Sequence, residues 1–201
     1  MNSKKQIEAV AKSLYLPPLD NILLALYYIQ RFHGLFLESL SVWRHSELVY
    51  ALLDDRVKEK WPFGALLCAL FHDAAEALIN DVPSWVKDLV PDVRFLEDIL
   101  LERIFVENGL AEFWEFYEEN KEAIKEADKL AFVYEVRWIY DTTLNKDMLR
   151  GVVSKDVFEK AMNLPETYKD TLVHLYINRT SFLYLREKIQ KYLTEVDHET
   201  A

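Results

Sequence analysis

Ala65-Leu66-Leu67-Cys68-Ala69-Leu70-Phe71 runs without a break into His72-Asp73-Ala74-Ala75-Glu76-Ala77-Leu78. The first half is wholly apolar; the second carries a histidine and two acids. Good helix formers dominate both halves, and Pro62 stands where a first turn tolerates it. The spacing therefore predicts one helix from Trp61 to Ile79. On that helix His72 and Glu76 lie four apart on one face, and Asp73 lies three before Glu76. Three ionisable groups in an apolar helix carry a heavy desolvation cost unless compensated. A buried hydrogen-bond network between helices is one compensation. A divalent ion does it more readily, because it offsets carboxylate charge and binds neutral imidazole. Cys68, the one cysteine, sits inside the apolar run and reads as a buried, inert thiol.

Two more titratable side chains interrupt apolar stripes. Val42, His45, Val49, Leu52 and Leu53 follow helical spacing, with His45 inside the stripe. Taken alone, a histidine there is more often a satisfied core residue than a ligand. Ile124, Ala127, Ala131 and Tyr134 form the third stripe, and Asp128 lies within it between alanines. Alone, it reads equally as a buried Asp bonded to a backbone or Tyr group. Together, two imidazoles and two carboxylates from three helices suit one divalent cation with open positions for water and a phosphate oxygen.

The rest of the chain reads as helix after helix. Gln6–Leu14 comes first, then Asn21–Phe32 with Asp20 as N-cap, and Val42–Lys58 capped by Ser41. Asp81-Val82-Pro83-Ser84 opens a short helix to Leu89, then after Pro91 a long one runs to about Asn108, and Gly109 stops it. Leu110–Glu118 reads as a connecting helix and 120–140 as a separate long one. Asp156–Met162 and Glu166–Leu193 complete the set. With only 4 Gly and 6 Pro, the 201 residues lack the turn chemistry of a β fold. The fold class is all-α. The domain reading is a single domain over 1–201, with a motif-bearing core at about 20–142 and C-terminal helices at 143–201.

A net charge of -10 disfavours nucleic acid as a partner, since excess acid repels phosphate backbones. An anionic substrate then needs a local device, either a metal or a few placed cations. Hydrophobic residues at 51% exclude disorder as the main state. The N-terminal segment has no signal-peptide core, and no stretch of about 18 uncharged apolar residues is present. No membrane span is expected, and the default compartment is cytoplasmic.

His45, the pair His72-Asp73, and Asp128, in that order, resemble the H…HD…D signature of the HD-domain metal-dependent phosphohydrolases. The stretch Phe71–Leu78 followed by Asp81-Val82-Pro83-Ser84-Trp85-Val86-Lys87 resembles the HDA(S/T)E…D(L/I)P…(V/L)K segment of the HD-domain 5′-deoxynucleotidases. Arg31-Phe32 resembles their Arg-aromatic pair, and Lys125-Glu126-Ala127-Asp128 their KxAD element. The likeness covers roughly Tyr28–Trp138. Phage-type members acting on deoxynucleoside triphosphates share nearly the same pattern, including Arg31-Phe32 followed closely by Gly34.

The resemblance implies an HD-domain helical fold with one mononuclear metal site between helices. His45, His72, Asp73 and Asp128 would hold one divalent ion, with Mn, Co, Mg, Ni, Fe and Zn all admissible. Glu76, Asp73 and Arg31 would form the catalytic group, with Glu76 orienting or protonating groups during ester cleavage. Arg31 would contact phosphate; its plainer role is a helix C-terminal cation. Phe32 would press on the sugar, Asp81 would sit near sugar or phosphate, and Trp85 or Trp43 could stack on a base. The plainer readings are a core Phe, an N-cap and core tryptophans. The implied activity is a 5′-nucleotidase acting on (deoxy)nucleoside 5′-monophosphates, in a homodimer. A deoxynucleoside triphosphate triphosphohydrolase and a catalytically silent helical binding module are the alternatives. Arg44, where the deoxynucleotidases often have an acid or Gln, is expected at the pocket mouth or in solvent. His33 is a further pocket candidate. The absence of a second adjacent His pair favours one metal over two, and Ala77 argues against the alarmone-hydrolysing members.

Overall fold

The structure, a computed structural model, describes residues 3–31, 40–138, 153–164 and 180–199. Among them the chain is all-α. The helices are α1 (Ser3–Ser13), α2 (Leu19–Tyr28), α3 (Val42–Leu52), α4 (Asp55–Lys60), α5 (Pro62–Phe71), α6 (Glu76–Ile79), α7 (Ser84–Leu89), α8 (Pro91–Glu107), α9 (Ala111–Trp138), α10 (Lys155–Met162) and α11 (Thr180–Glu199).

The centre of the fold is the mutual packing of α3, α5 and α9. Val42 and Val49 of the stripe read on α3, part of the apolar run of α5 and the whole stripe of α9 lie in it. Val42, Leu48 and Val49 of α3, Leu67, Cys68 and Phe71 of α5, and Ile124, Ala127, Ala131 and Tyr134 of α9 share one buried cluster. Each large apolar side chain so buried contributes roughly 1.5–3 kcal/mol. Around this centre α2 lies on α3, α1 on α8, and α10 on α9. The last described helix is tied to α2 by a charged clasp. Arg186 and Gln190 both donate to the Asp20 carboxylate, Arg186 Nη2 at 2.8 Å. Trp43 is fully buried and meets Phe182 edge-on at 5.1 Å, so it is a core residue and not a base-stacking one.

Several boundaries differ from the sequence reading. Asp20 does not cap α2; Pro18 stands at the N-cap, and Asp20 serves α11 instead. Ser41 does cap α3, accepting from the Arg44 N–H at 3.3 Å. But α3 stops at Leu52, because Asp54 starts a new helix by accepting from the Arg56 N–H at 2.8 Å. The expected pair of helices over 110–140 is one continuous helix, α9. Asn120 does not cap a second one, since its side chain donates to the Phe116 carbonyl one turn back. Gly109, at φ 75°, does end α8. Leu110 N–H donates to the Phe105 carbonyl at 2.8 Å and Gly109 N–H to that of Val106 at 3.3 Å, a Schellman closure. Of the expected helix Glu166–Leu193, residues 166–179 lie outside the described residues, and α11 runs on to Glu199.

Pro62–Ile79 reaches a mean hydropathy of 1.4, the range of membrane-spanning helices, although the sequence reading expects no span. In this structure 56% of it is buried inside the chain. Its Cys68 is fully buried, 3.2 Å from the Phe113 carbonyl, and burial pushes the thiol far up from its ordinary value. A thiol reagent at pH 8 is therefore expected to leave the native protein unmodified and to titrate one thiol in denaturant. Rapid labelling of native protein would contradict this packing.

Candidate metal centre

The expected helix from Trp61 to Ile79 breaks at its most polar point. His72 Nδ1 lies 2.8 Å from the Ala69 carbonyl, the acceptor that an unbroken helix would offer to the Asp73 N–H. The chain then tightens: Ala74, Glu76, Ala77 and Leu78 each donate three residues back, through the turn and into α6. No Gly or Pro marks this break, which is why propensity alone runs through it. Just beyond, Asn80 takes φ 70° and ψ 168°, a conformation costing about 1–3 kcal/mol. This turn carries the chain from Glu76 to Asp81.

His45 enters from the second turn of α3 and Asp128 from the middle of α9. One donor atom each of His45, His72 and Asp128 lies within 4.8 Å of the others. His45 Nε2 is 2.9 Å from Asp128 Oδ1 and 4.0 Å from Asp73 Oδ2, and His72 Nε2 is 3.1 Å from that same Asp73 oxygen. The four residues read from sequence as ligands are thus brought together. The imidazoles are sealed in, while the Asp73 and Asp128 side chains are 22% and 38% exposed. The cluster therefore opens to solvent on its carboxylate side.

The donor chemistry fits a divalent cation. His72 gives Nδ1–H to a carbonyl, which leaves Nε2 as the ring nitrogen a cation could take, and that buried atom has no aligned hydrogen-bond partner. His45 repeats the pattern, with Nδ1 2.7 Å from a carboxylate of Glu135. Ring nitrogens fixed from behind in this way are the usual arrangement of metal-ligating histidines. As a bare pair of nitrogens among carboxylates, His45 holds a proton tightly. Burial and the Arg31 guanidinium oppose its charge, but Glu135 and Asp128 outweigh them and hold its pKa up at about 9. Burial works to raise Asp73 and Asp128 too. His72 and His45 dominate at Asp73, and His45 at Asp128, so both carboxyls lie below their ordinary values.

Arg31 is buried at the rim of this cluster. Its Nε lies 3.2 Å from Glu135 Oε2, and its Nη1 3.8 Å from Asp73 Oδ2. It does not sit on the last turn of α2, which ends at Tyr28. It is held by backbone pairing: Arg31 N–H donates to the Leu40 carbonyl and Val42 N–H to that of Ile29, each at 2.9 Å. Residues 30 and 41 are bridged antiparallel, so Arg31 and α3 enter the site side by side.

Glu76 is almost fully buried. Its Oε1 is 3.4 Å from Lys87 Nζ, and its Oε2 has no hydrogen-bond partner. Burial raises the Glu76 carboxyl well above its ordinary value; Asp73 and Asp81 push the same way, and Lys87 and Arg31 do not overcome them. Asp81 therefore lies within electrostatic reach of Glu76, and it is not the cap of α7, where Pro83 stands without a side-chain cap. Lys87 also pairs with Glu97 of α8 at 2.7 Å.

Phe32, His33 and Gly34 lie outside the described residues; Trp85 falls within α7, but its side chain is outside the described set. Arg44 departs from expectation. It is buried, with Nη1 2.7 Å from Glu47 Oε2 and its guanidinium over the Tyr27 ring. Sequence reasoning missed Glu135 and Glu97, and quoted Lys87 without a role. Glu135 had a signal: it stands two turns past Asp128, on the same stripe of α9.

Compared with known proteins, the chain matches no family model, no curated protein and no solved structure.

Proposed function

We propose that this chain is a metal-dependent nucleotide phosphohydrolase, removing phosphate from (deoxy)nucleoside 5′-monophosphates. The observation that carries the reading is the convergence of His45, His72, Asp73 and Asp128 from α3, the α5–α6 turn and α9, with Arg31 next to Asp73 and Glu76 within electrostatic reach of both. A divalent ion held by the four ligands would act as a Lewis acid toward phosphate and water.

The chain's own groups supply the rest. Arg31 offers a fixed cation with a planar fork for phosphate oxygens, pre-oriented by Glu135. Glu76, whose carboxyl is pushed well above its ordinary value by burial and by Asp73 and Asp81, is suited to give a proton to the leaving 5′ oxygen. Water adds to phosphorus, the bond to the 5′ oxygen breaks, and the proton shed by the water restores Glu76. The exposed edges of Asp73 and Asp128 leave the approach open on one side. The nucleotide class rests on the resemblance of Phe71–Lys87 and Arg31-Phe32 to the HD-domain 5′-deoxynucleotidases.

Protein reconstituted with Mn²⁺ and incubated with nucleoside mono-, di- and triphosphates is expected to release inorganic phosphate and nucleoside from the monophosphates. Chromatography of the products checks it. Tripolyphosphate from a deoxynucleoside triphosphate would move the substrate assignment to that class. No hydrolysis of any nucleotide by metal-loaded protein would overturn the enzymatic reading.

A further inference from the structure

We propose that Glu135 is a positioning residue that ties the metal ligand His45 to the phosphate-binding Arg31, so that cation capture and phosphate capture weaken together when it is changed. The inference rests on the metal-dependent reading above.

Glu135 is fully buried on α9. A carboxylate sealed from water is tolerated only when well paired, and this one has a hydrogen-bond contact at one oxygen and an ion pair at the other. One oxygen, Oε1, lies 2.7 Å from His45 Nδ1; the other, Oε2, lies 3.2 Å from Arg31 Nε. Its two partners come from different segments, and both belong to the site. By accepting the Nδ1 proton, Glu135 turns the imidazole so that Nε2 faces Asp128 and Asp73. By its charge, through the ion pair at Arg31 Nε, it holds the guanidinium beside the cluster, where Nη1 lies 3.8 Å from Asp73 Oδ2. Glutamine keeps the volume but not the function. Its single carbonyl can serve His45 or Arg31, and its amide N–H then faces a donor at the other.

The test compares metal-stripped wild type with Glu135→Gln. Calorimetric titration with Mn²⁺ is expected to show one equivalent bound by wild type, with the dissociation constant about 10–100-fold weaker in the variant. At saturating Mn²⁺, KM for a nucleoside monophosphate is expected to rise at least tenfold. A cycle with Arg31→Gln checks the coupling: the double variant should lose little beyond Arg31→Gln alone in KM. Should Glu135→Gln lose its helical signal, Glu135→Asp carries the same comparison. Mn²⁺ affinity within twofold of wild type, or an additive KM cycle, overturns the proposal while leaving the parent reading intact. Wild-type protein that takes up no Mn²⁺ overturns both.

Discussion

Asp73→Asn is expected to lower kcat on a nucleoside monophosphate by ~10³-fold or more, roughly 4 kcal/mol of transition-state stabilisation, while the helical fold persists. Its Oδ2 lies 3.1 Å from His72, 4.0 Å from His45 and 3.8 Å from Arg31, so one carboxylate organises three site groups. The neighbouring imidazoles overcome burial and keep it ionised across the working pH range. Asparagine preserves the shape but removes the charge that balances a bound cation. It also offers an N–H to a histidine nitrogen that should present its lone pair to the metal. Steady-state turnover, metal content and circular dichroism on the same preparation separate the outcomes. A variant that keeps its turnover would remove Asp73 from the site. One that gains stability, in a protein that binds no metal, would instead mark the cluster as a polar core of architectural purpose.

The second large effect concerns stability. Gly64→Ala is expected to destabilise the fold by about 2–3 kcal/mol, even though alanine is the better helix former by about 1 kcal/mol. A Cβ at Gly64 would overlap three ring carbons of Trp61, none farther than 3.0 Å. The indole has little freedom to retreat. It is stacked on Phe113 at 4.4 Å and abutted edge-on by Phe116 at 5.4 Å. Those rings sit at the start of α9, so the strain reaches the helix that carries Asp128. Thermal unfolding should show a fall of roughly 4–12 °C, at about 2–4 °C per kcal/mol for a domain of this length. An unchanged or raised midpoint would mean that the aromatic cluster yields.

The sequence reading and the structure agree where one local rule acts alone. Ser41 caps α3, Pro91 opens α8 and Gly109 closes it, because each device works through backbone geometry within a few residues. They part where a side chain competes for a backbone group or answers a distant partner. His72 takes the Ala69 carbonyl and breaks a helix that propensity carries through to Ile79. Asp20 looks like a cap and instead serves Arg186 and Gln190; residue 120, where the sequence reading begins a new helix, lies within α9, and its side chain donates to the Phe116 carbonyl. The same division runs through the site. His45, His72, Asp73 and Asp128 are legible because a titratable residue on an apolar stripe demands an explanation. Arg44 is misplaced because its partner, Glu47, lies on its own helix and the ring it covers comes from α2. Glu135 escapes notice because its value lies in joining two segments that the sequence keeps far apart.

The backbone pairing of Ile29 with Val42 and of Arg31 with Leu40 has a bearing on which substitutions the cluster can absorb. It ties 29–31 to 40–42 through main-chain groups alone, so the placement of Arg31 beside the start of α3 does not depend on the side chains at Ile29, Leu40 or Val42. Exchanging one apolar residue for another at these positions alters packing and leaves the ladder that carries Arg31 in place.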